Sequence, residues 1–153
     1  MRILFVSLLG LWLWNCSGGN TTQEGSESGP SPEQQAEEQL WDEVMAVHDD
    51  VMPEMADINR LTKQMDELLQ NQKLSDLDRA QVIETMQEID KAGEGMWNWM
   101  AGLKQLEPLR AEGKSHEEIM AYLREQKTEI EQVRDAMRSS ISEGKALLDQ
   151  IKN

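Results

Sequence analysis

Two stretches of the chain carry side chains able to hold a soft metal ion. The first is Trp41-Asp42-Glu43-Val44-Met45-Ala46-Val47-His48-Asp49-Asp50-Val51-Met52-Pro53-Glu54-Met55. On a helix, Met45, His48, Met52 and Met55 fall within an arc of about 80°. The second is Gly93-Glu94-Gly95-Met96-Trp97-Asn98-Trp99-Met100, in which Met96 and Met100 form an i, i+4 pair and two indoles flank it. Thioethers with one imidazole are soft, neutral donors that prefer Cu(I) to Zn or Mg. An indole beside such an ion adds a cation–π contact and excludes water. The metal reading gives the nitrogen to His48, one sulfur to Met52 and the facing sulfur to Met96 or Met100. Trp97 or Trp99 covers the ion, and Met45 and Met55 line the way in or back the ligands. The other reading is plain core, with no cofactor. Met fills irregular gaps, Gly93 and Gly95 make room for large indoles, and His48 bonds to a carboxylate or tyrosine. Both readings stand on the same residues.

Other chemistry is excluded more firmly. No E-x-x-H or H-E-x-x-H is present, which removes di-iron and zinc-hydrolase readings. No D-x-D-x-D-G loop suggests calcium, and no glycine-rich loop follows a strand to hold phosphates. Asp49 and Asp50 are helix neighbours that point apart, which is wrong for a general acid–base pair. The chain reads as non-enzymatic. His116 follows an N-cap and reads as a surface residue. With 29 acids, 15 bases and a net charge of −14, the chain repels phosphate backbones, so nucleic acid is not a partner. A single Cys rules out a disulfide scaffold or a cysteine zinc module.

That cysteine has another use. Met1-Arg2 precedes an apolar run, Ile3 to Trp14, which is too short to span a bilayer and the right length for a signal peptide. The run ends in Leu13-Trp14-Asn15-Cys16, which resembles a bacterial lipoprotein signal despite bulky Trp14 and Asn15 where small residues are usual. The resemblance implies removal of 1–15, a lipid on Cys16, and anchoring at the cell envelope, in the outer membrane facing periplasm or surface. Residues 16–31 carry no aliphatic or aromatic side chain and read as a flexible tether. Between Ser17 and Asn59 there are eleven acids and no Lys or Arg. Such a stretch reads as a solvated face, or as one that attracts a basic partner or cations.

The elements that position these residues are helices. Ser31-Pro32-Glu33-Gln34 is a helix start, and apolar residues then recur from Leu40 through 44, 47, 51, 55, 58, 61, 65 and 68. Pro53 falls inside this helix and should kink it, because it cannot donate to the Asp49 carbonyl. Ser75 with Asp78 caps a second helix, ending near Pro108, and Ser115-His116-Glu117-Glu118 opens a third. The expected helices cover 32–71, 75–107 and 115–151. Short connections make them an all-α, antiparallel, up-down-up three-helix bundle over 32–153, with a dimerising two-helix hairpin as the competing arrangement. A turn near 73–74 sets His48 opposite Trp99, Met52 opposite Gly95 and Met45 opposite Gly102. A turn near 111 brings Met120 and Tyr122 to the level of Met100.

Residues 41–55 and Met96-Trp97-Asn98-Trp99-Met100 resemble a group of small helical lipoproteins from Bacteroidetes-type bacteria, often labelled viral A-type inclusion protein-like. The resemblance spans essentially the mature chain and implies a secreted, lipidated helical domain, with no activity and no functional residue to carry over. The His, Met and Trp set also resembles that of periplasmic copper carriers of unrelated fold. The expected function is a non-enzymatic envelope lipoprotein, membrane-bound through Cys16, that engages a protein partner or serves structurally. The alternative is a periplasmic Cu(I) binder.

Overall fold

A computed structural model describes residues 29–152. The apolar run, Cys16 and the tether up to residue 28 lie outside the described residues. Among the described residues the chain is all-α, with five helices, one 3-10 turn and no strand. None of these helices is long and apolar enough to cross a membrane.

α1 (Pro32–Val51) starts on a complete capping box. The Ser31 hydroxyl accepts from the Gln34 N–H at 3.2 Å, and the Gln34 side chain accepts from the Ser31 N–H at 2.9 Å. The single helix expected over 32–71 is in fact broken. Around Pro53 the backbone tightens into a 3-10 turn, Met52–Glu54, before α2 (Met55–Asn71) resumes. The missing N–H and the ring's crowding of the preceding turn account for the break. α3 (Asp76–Gly102) is capped by Ser75, whose hydroxyl accepts from the Asp78 N–H at 3.1 Å.

α3 stops at Gly102, short of the expected 107. Leu103 turns extended, and the Lys104 N–H donates to the Tyr122 hydroxyl at 2.6 Å, tying the connection to the last helix. Pro108 does not terminate a helix. It sits in the first turn of a separate short helix, α4 (Leu106–Ala111), where a missing N–H leaves nothing unpaired. Gly113 follows at φ 76°, the left-handed conformation that ends a helix most cheaply as glycine. α5 (His116–Lys152) then opens on the Ser115–Glu118 box, with the Ser115 N–H 2.9 Å from the Glu118 carboxylate. That bond, with Lys114 second, lowers the Glu118 pKa to about 2. The cap therefore contributes stability above the ordinary carboxylate range and loses it as pH falls through about 2.

Contacts fix the directions. From α1 and α2 to α3, His48 meets Met100, Ile58 lies over Gly93, and Thr62 donates to Asp90 at 2.9 Å, so the chains run oppositely. From α1 and α2 to α5, Glu43 pairs with Lys127 at 2.7 Å, Asp50 with Arg138 at 2.9 Å and Asp57 with Lys145 at 2.9 Å, so those run together. The shared seam buries Val44, Val51, Ile58 and Met65 against Ile89 and Met96 of α3 and Ile130, Met137 and Ile141 of α5. A smaller cluster of Leu106, Leu109, Ile119 and Leu123 closes the α4 end, with Leu40, Trp41 and Tyr122 against it.

Glycine makes the seam tight at one place. A Cβ on Gly144 would lie 2.7 Å from Ile89 Cδ1 and 3.3 Å from Met65 Cε, and both of those side chains are fully buried. Gly93 and Gly95 do not accommodate indoles. The nearest atoms to a Cβ at Gly93 belong to Ile58 and Met55, and at Gly95 only Val133 lies within 4 Å, at 3.9 Å. Alanine at either helix site gains about 1 kcal/mol of helix propensity. At Gly144 that gain is outweighed by overpacking, which costs about 1–3 kcal/mol. Thermal unfolding followed by circular dichroism should therefore rank Gly95→Ala above wild type and Gly144→Ala below it. A Gly144→Ala variant that melts above Gly95→Ala would contradict this packing.

Candidate functional site

The level of His48 lies where the last turns of α1 meet the end of the antiparallel α3, while α5 packs along α1. Long side chains make the contact there. The His48 imidazole stacks on Trp99, with ring centroids 5.7 Å apart and an interplanar angle of 29°. Its Nε2 lies 3.3 Å from the Met100 sulfur, and its Nδ1 lies 2.9 Å from an oxygen of Asp49. The His48 side chain is 16% exposed, so the pair sits near the surface. The Trp99 indole N–H is buried without an acceptor among the described residues. Leaving such a group unpaired costs about 1–3 kcal/mol.

The sequence-derived set divides here. His48, Met100 and Trp99 are in contact. Met45 and Met52 are half-buried and pack on the edge of the core. The Met52 backbone N–H donates to the His48 carbonyl, which keeps it one helical turn further along the same side. Met96 is fully buried in the seam, and Met55 is buried over Gly93. The two indoles do not flank the stripe alike: Trp99 is in the core, whereas Trp97 is 55% exposed. Tyr122 serves the α3–α4 connection and the smaller cluster, with Met120 half-buried near it in sequence. No group of three or more His, Cys, Asp or Glu able to hold a metal occurs among the described residues.

A second polar constellation was not evident from sequence. His116, expected on the surface, places Nδ1 2.9 Å from a Glu37 carboxylate oxygen. Arg110 donates to the other oxygen of Glu37 at 2.9 Å, and the Glu37 side chain is only 4% exposed. The parallel course of α1 and α5 puts their first turns side by side, and α4 folds Arg110 over both. Burial works against the Arg110 charge, but its bonds to Glu37 and then Glu107 outweigh this and raise its pKa. A signal existed: Glu37 lies seven residues before Val44, in step with Val51, Ile58 and Met65 on the seam. A carboxylate in that register must find cationic partners.

A cleft of about 530 Å³ beside α4 is lined by Lys104, Leu109, Tyr122 and neighbouring charges. Those charges are paired with each other, Lys104 to Glu112 at 2.9 Å and Lys114 to Glu118 at 3.1 Å. Comparison with known proteins adds no relative: no family model matches the chain, and no curated protein or solved structure is similar to it.

Removing Arg110 strands a buried carboxylate. Arg110→Ala should lower the unfolding free energy by about 3 kcal/mol, and Glu37→Leu combined with Arg110→Met should restore most of that loss. Chemical denaturation of the three proteins is the measurement. An unchanged midpoint for Arg110→Ala would show that the cluster contributes nothing.

Proposed function

We propose that this chain is a lipid-anchored, non-enzymatic protein of a bacterial cell envelope, acting as a helical interaction or structural module. Within this reading 1–15 is a signal peptide and Cys16 carries the lipid. Residues 16–31 hold the body off the membrane, in the outer membrane facing periplasm or surface. The body is an antiparallel up-down-up three-helix bundle. The resemblance of residues 41–55 and 96–100 to small lipidated proteins belongs to the same reading. Nucleic acid is not a partner, given the charge of −14.

One observation carries the interaction role. Most exposed acids on α1 and α2 that face α5 are already spent on its bases: Glu43, Asp50, Glu54 and Asp57 pair with Lys127, Arg138 and Lys145. α3, by contrast, turns large apolar side chains outward, namely Leu77, Ile83 and Trp97. Ile83 and Trp97 are fourteen residues apart in α3, which is close to four helical turns and so returns to the same face. An exposed Trp and an exposed Ile set about 21 Å apart along one helix face suit a partner laid lengthwise along α3. A basic partner is favoured less, since the acidic ladder is internally matched.

Anchoring is tested by fractionation. The wild-type protein should partition with membranes and begin at Cys16, and Cys16→Ser should move it to the soluble fraction. A wild-type mature chain that is already soluble, or that starts elsewhere, would overturn the reading. In-cell crosslinking should yield a discrete adduct that Ile83→Ser with Trp97→Ser removes.

A further inference from the structure

We propose that His48, Met100 and Met52 form a binding site for a soft monovalent cation, Cu(I), closed on one side by Trp99. The site is independent of how the chain is anchored.

Asp49 is a carboxylate, so at its 2.9 Å contact with Nδ1 it accepts and the imidazole donates. In the neutral ring Nε2 then bears a lone pair and no hydrogen. The atom facing it at 3.3 Å is a thioether sulfur, which has no hydrogen either. In that state two electron-pair donors face one another at this distance, and either a proton on Nε2 or a cation turns the contact into a bond. A carboxylate on the far nitrogen is also how metal-bound imidazoles are oriented, since it fixes the tautomer and raises the basicity of the ligating nitrogen.

Separation and surroundings fit an ion. Bonds of about 2.0 Å to nitrogen and 2.3 Å to sulfur, at a bent angle, hold the two donors about 3.5 to 4 Å apart. From 3.3 Å the side chains need to part by only a few tenths of an ångström. Met100 and Met52 are half-buried at the edge of the core rather than locked in the seam, so their side chains can shift by that amount. Met52 is one turn beyond His48 and supplies a second sulfur from the same helix. Met96, fully buried in the seam, is the less available sulfur of the α3 pair. Trp99 stacks on the imidazole and excludes water from that side.

The donor set selects the ion. One imidazole and two thioethers are neutral and soft, which suits Cu(I), whereas Zn(II) favours thiolates, several imidazoles or carboxylates. Asp49 is occupied with the far nitrogen and is not a ligand.

The test uses the full-length chain carrying Cys16→Ser, so that no thiol competes, purified in detergent. Cu(I) is titrated against a colorimetric Cu(I) chelator, with Ag(I) as the redox-inert substitute, while Trp emission is followed. One equivalent should bind with a change in Trp emission, and Zn(II) at the same concentration should not produce it. X-ray absorption should show nitrogen and sulfur neighbours in one shell. Met100→Leu and Met52→Leu conserve volume and should keep the melting temperature close to that of the parent. Each should weaken binding by about tenfold or more, as should His48→Gln, and Asp49→Asn should do so by about tenfold. Met86→Leu, elsewhere on α3, should bind as the parent does. Absence of binding to the parent would overturn the proposal. So would equal affinity for parent, folded Met100→Leu and folded His48→Gln.

Discussion

A buried seam along which α1, α2, α3 and α5 pack, continued at the α4 end by a smaller cluster, is the constraint on which the rest of this molecule depends. It is read at steps of three, four and seven residues. Along α5 the buried stripe passes from Ile119 and Leu123 of the smaller cluster through Gln126, Ile130, Met137, Ser140, Gly144 and Leu148. Burying that apolar surface is the driving force, and each non-apolar member of the seam has a local solution. Ser140 bonds back to the Met137 carbonyl at 3.0 Å, Gln126 reaches Glu129 at 2.9 Å, and Gly144 yields its volume to Ile89. Glu37 is the costly case, and Arg110 and His116 exist at that end in the positions its charge requires.

The ion pairs flanking the seam do a different job. Exposed pairs contribute only about 0–1 kcal/mol each, so the ladder of Glu43, Asp50, Glu54 and Asp57 against α5 cannot hold the body together. It does penalise a slipped register, because a shift by one turn would set several acids beside apolar or acidic neighbours. Hydrogen bonding to Lys127 lowers the Glu43 pKa, and that to Lys145 lowers the Asp57 pKa, so both acids remain charged over the neutral range. Register in turn decides what meets at His48. The break at Pro53 falls just beyond it, α1 packs on α5, and an imidazole, an indole and a thioether make its contact with α3.

Much of this was legible in the sequence, because caps and stripes are local. Ser31 with Gln34, Ser75 with Asp78 and Ser115 with Glu118 mark three helix starts, and all three form the bonds their spacing suggests. The turn near 73–74 was enough to put His48 opposite Trp99. What was not legible depends on partners distant in sequence. Pro108 looks like a stop until α4 is seen to begin just before it, and His116 looks exposed until Glu37 is brought to it from 79 residues away. Periodicity placed Trp97 and Trp99 symmetrically about the α3 stripe. Tertiary packing breaks that symmetry: Trp99 is buried against His48, and Trp97 is left in solvent.

The register at His48 is the claim on which both the fold and the proposed site rest, and nuclear Overhauser effects measure it directly. In the full-length chain with labelled methionine methyl groups, the Met100 methyl should show cross-peaks to the His48 imidazole and Trp99 indole protons. The Thr62 methyl should show them to the Asp90 side chain, which lies about three turns from Met100 along α3. Cross-peaks from His48 to residues a turn away on α3, with none to Met100, would contradict the account.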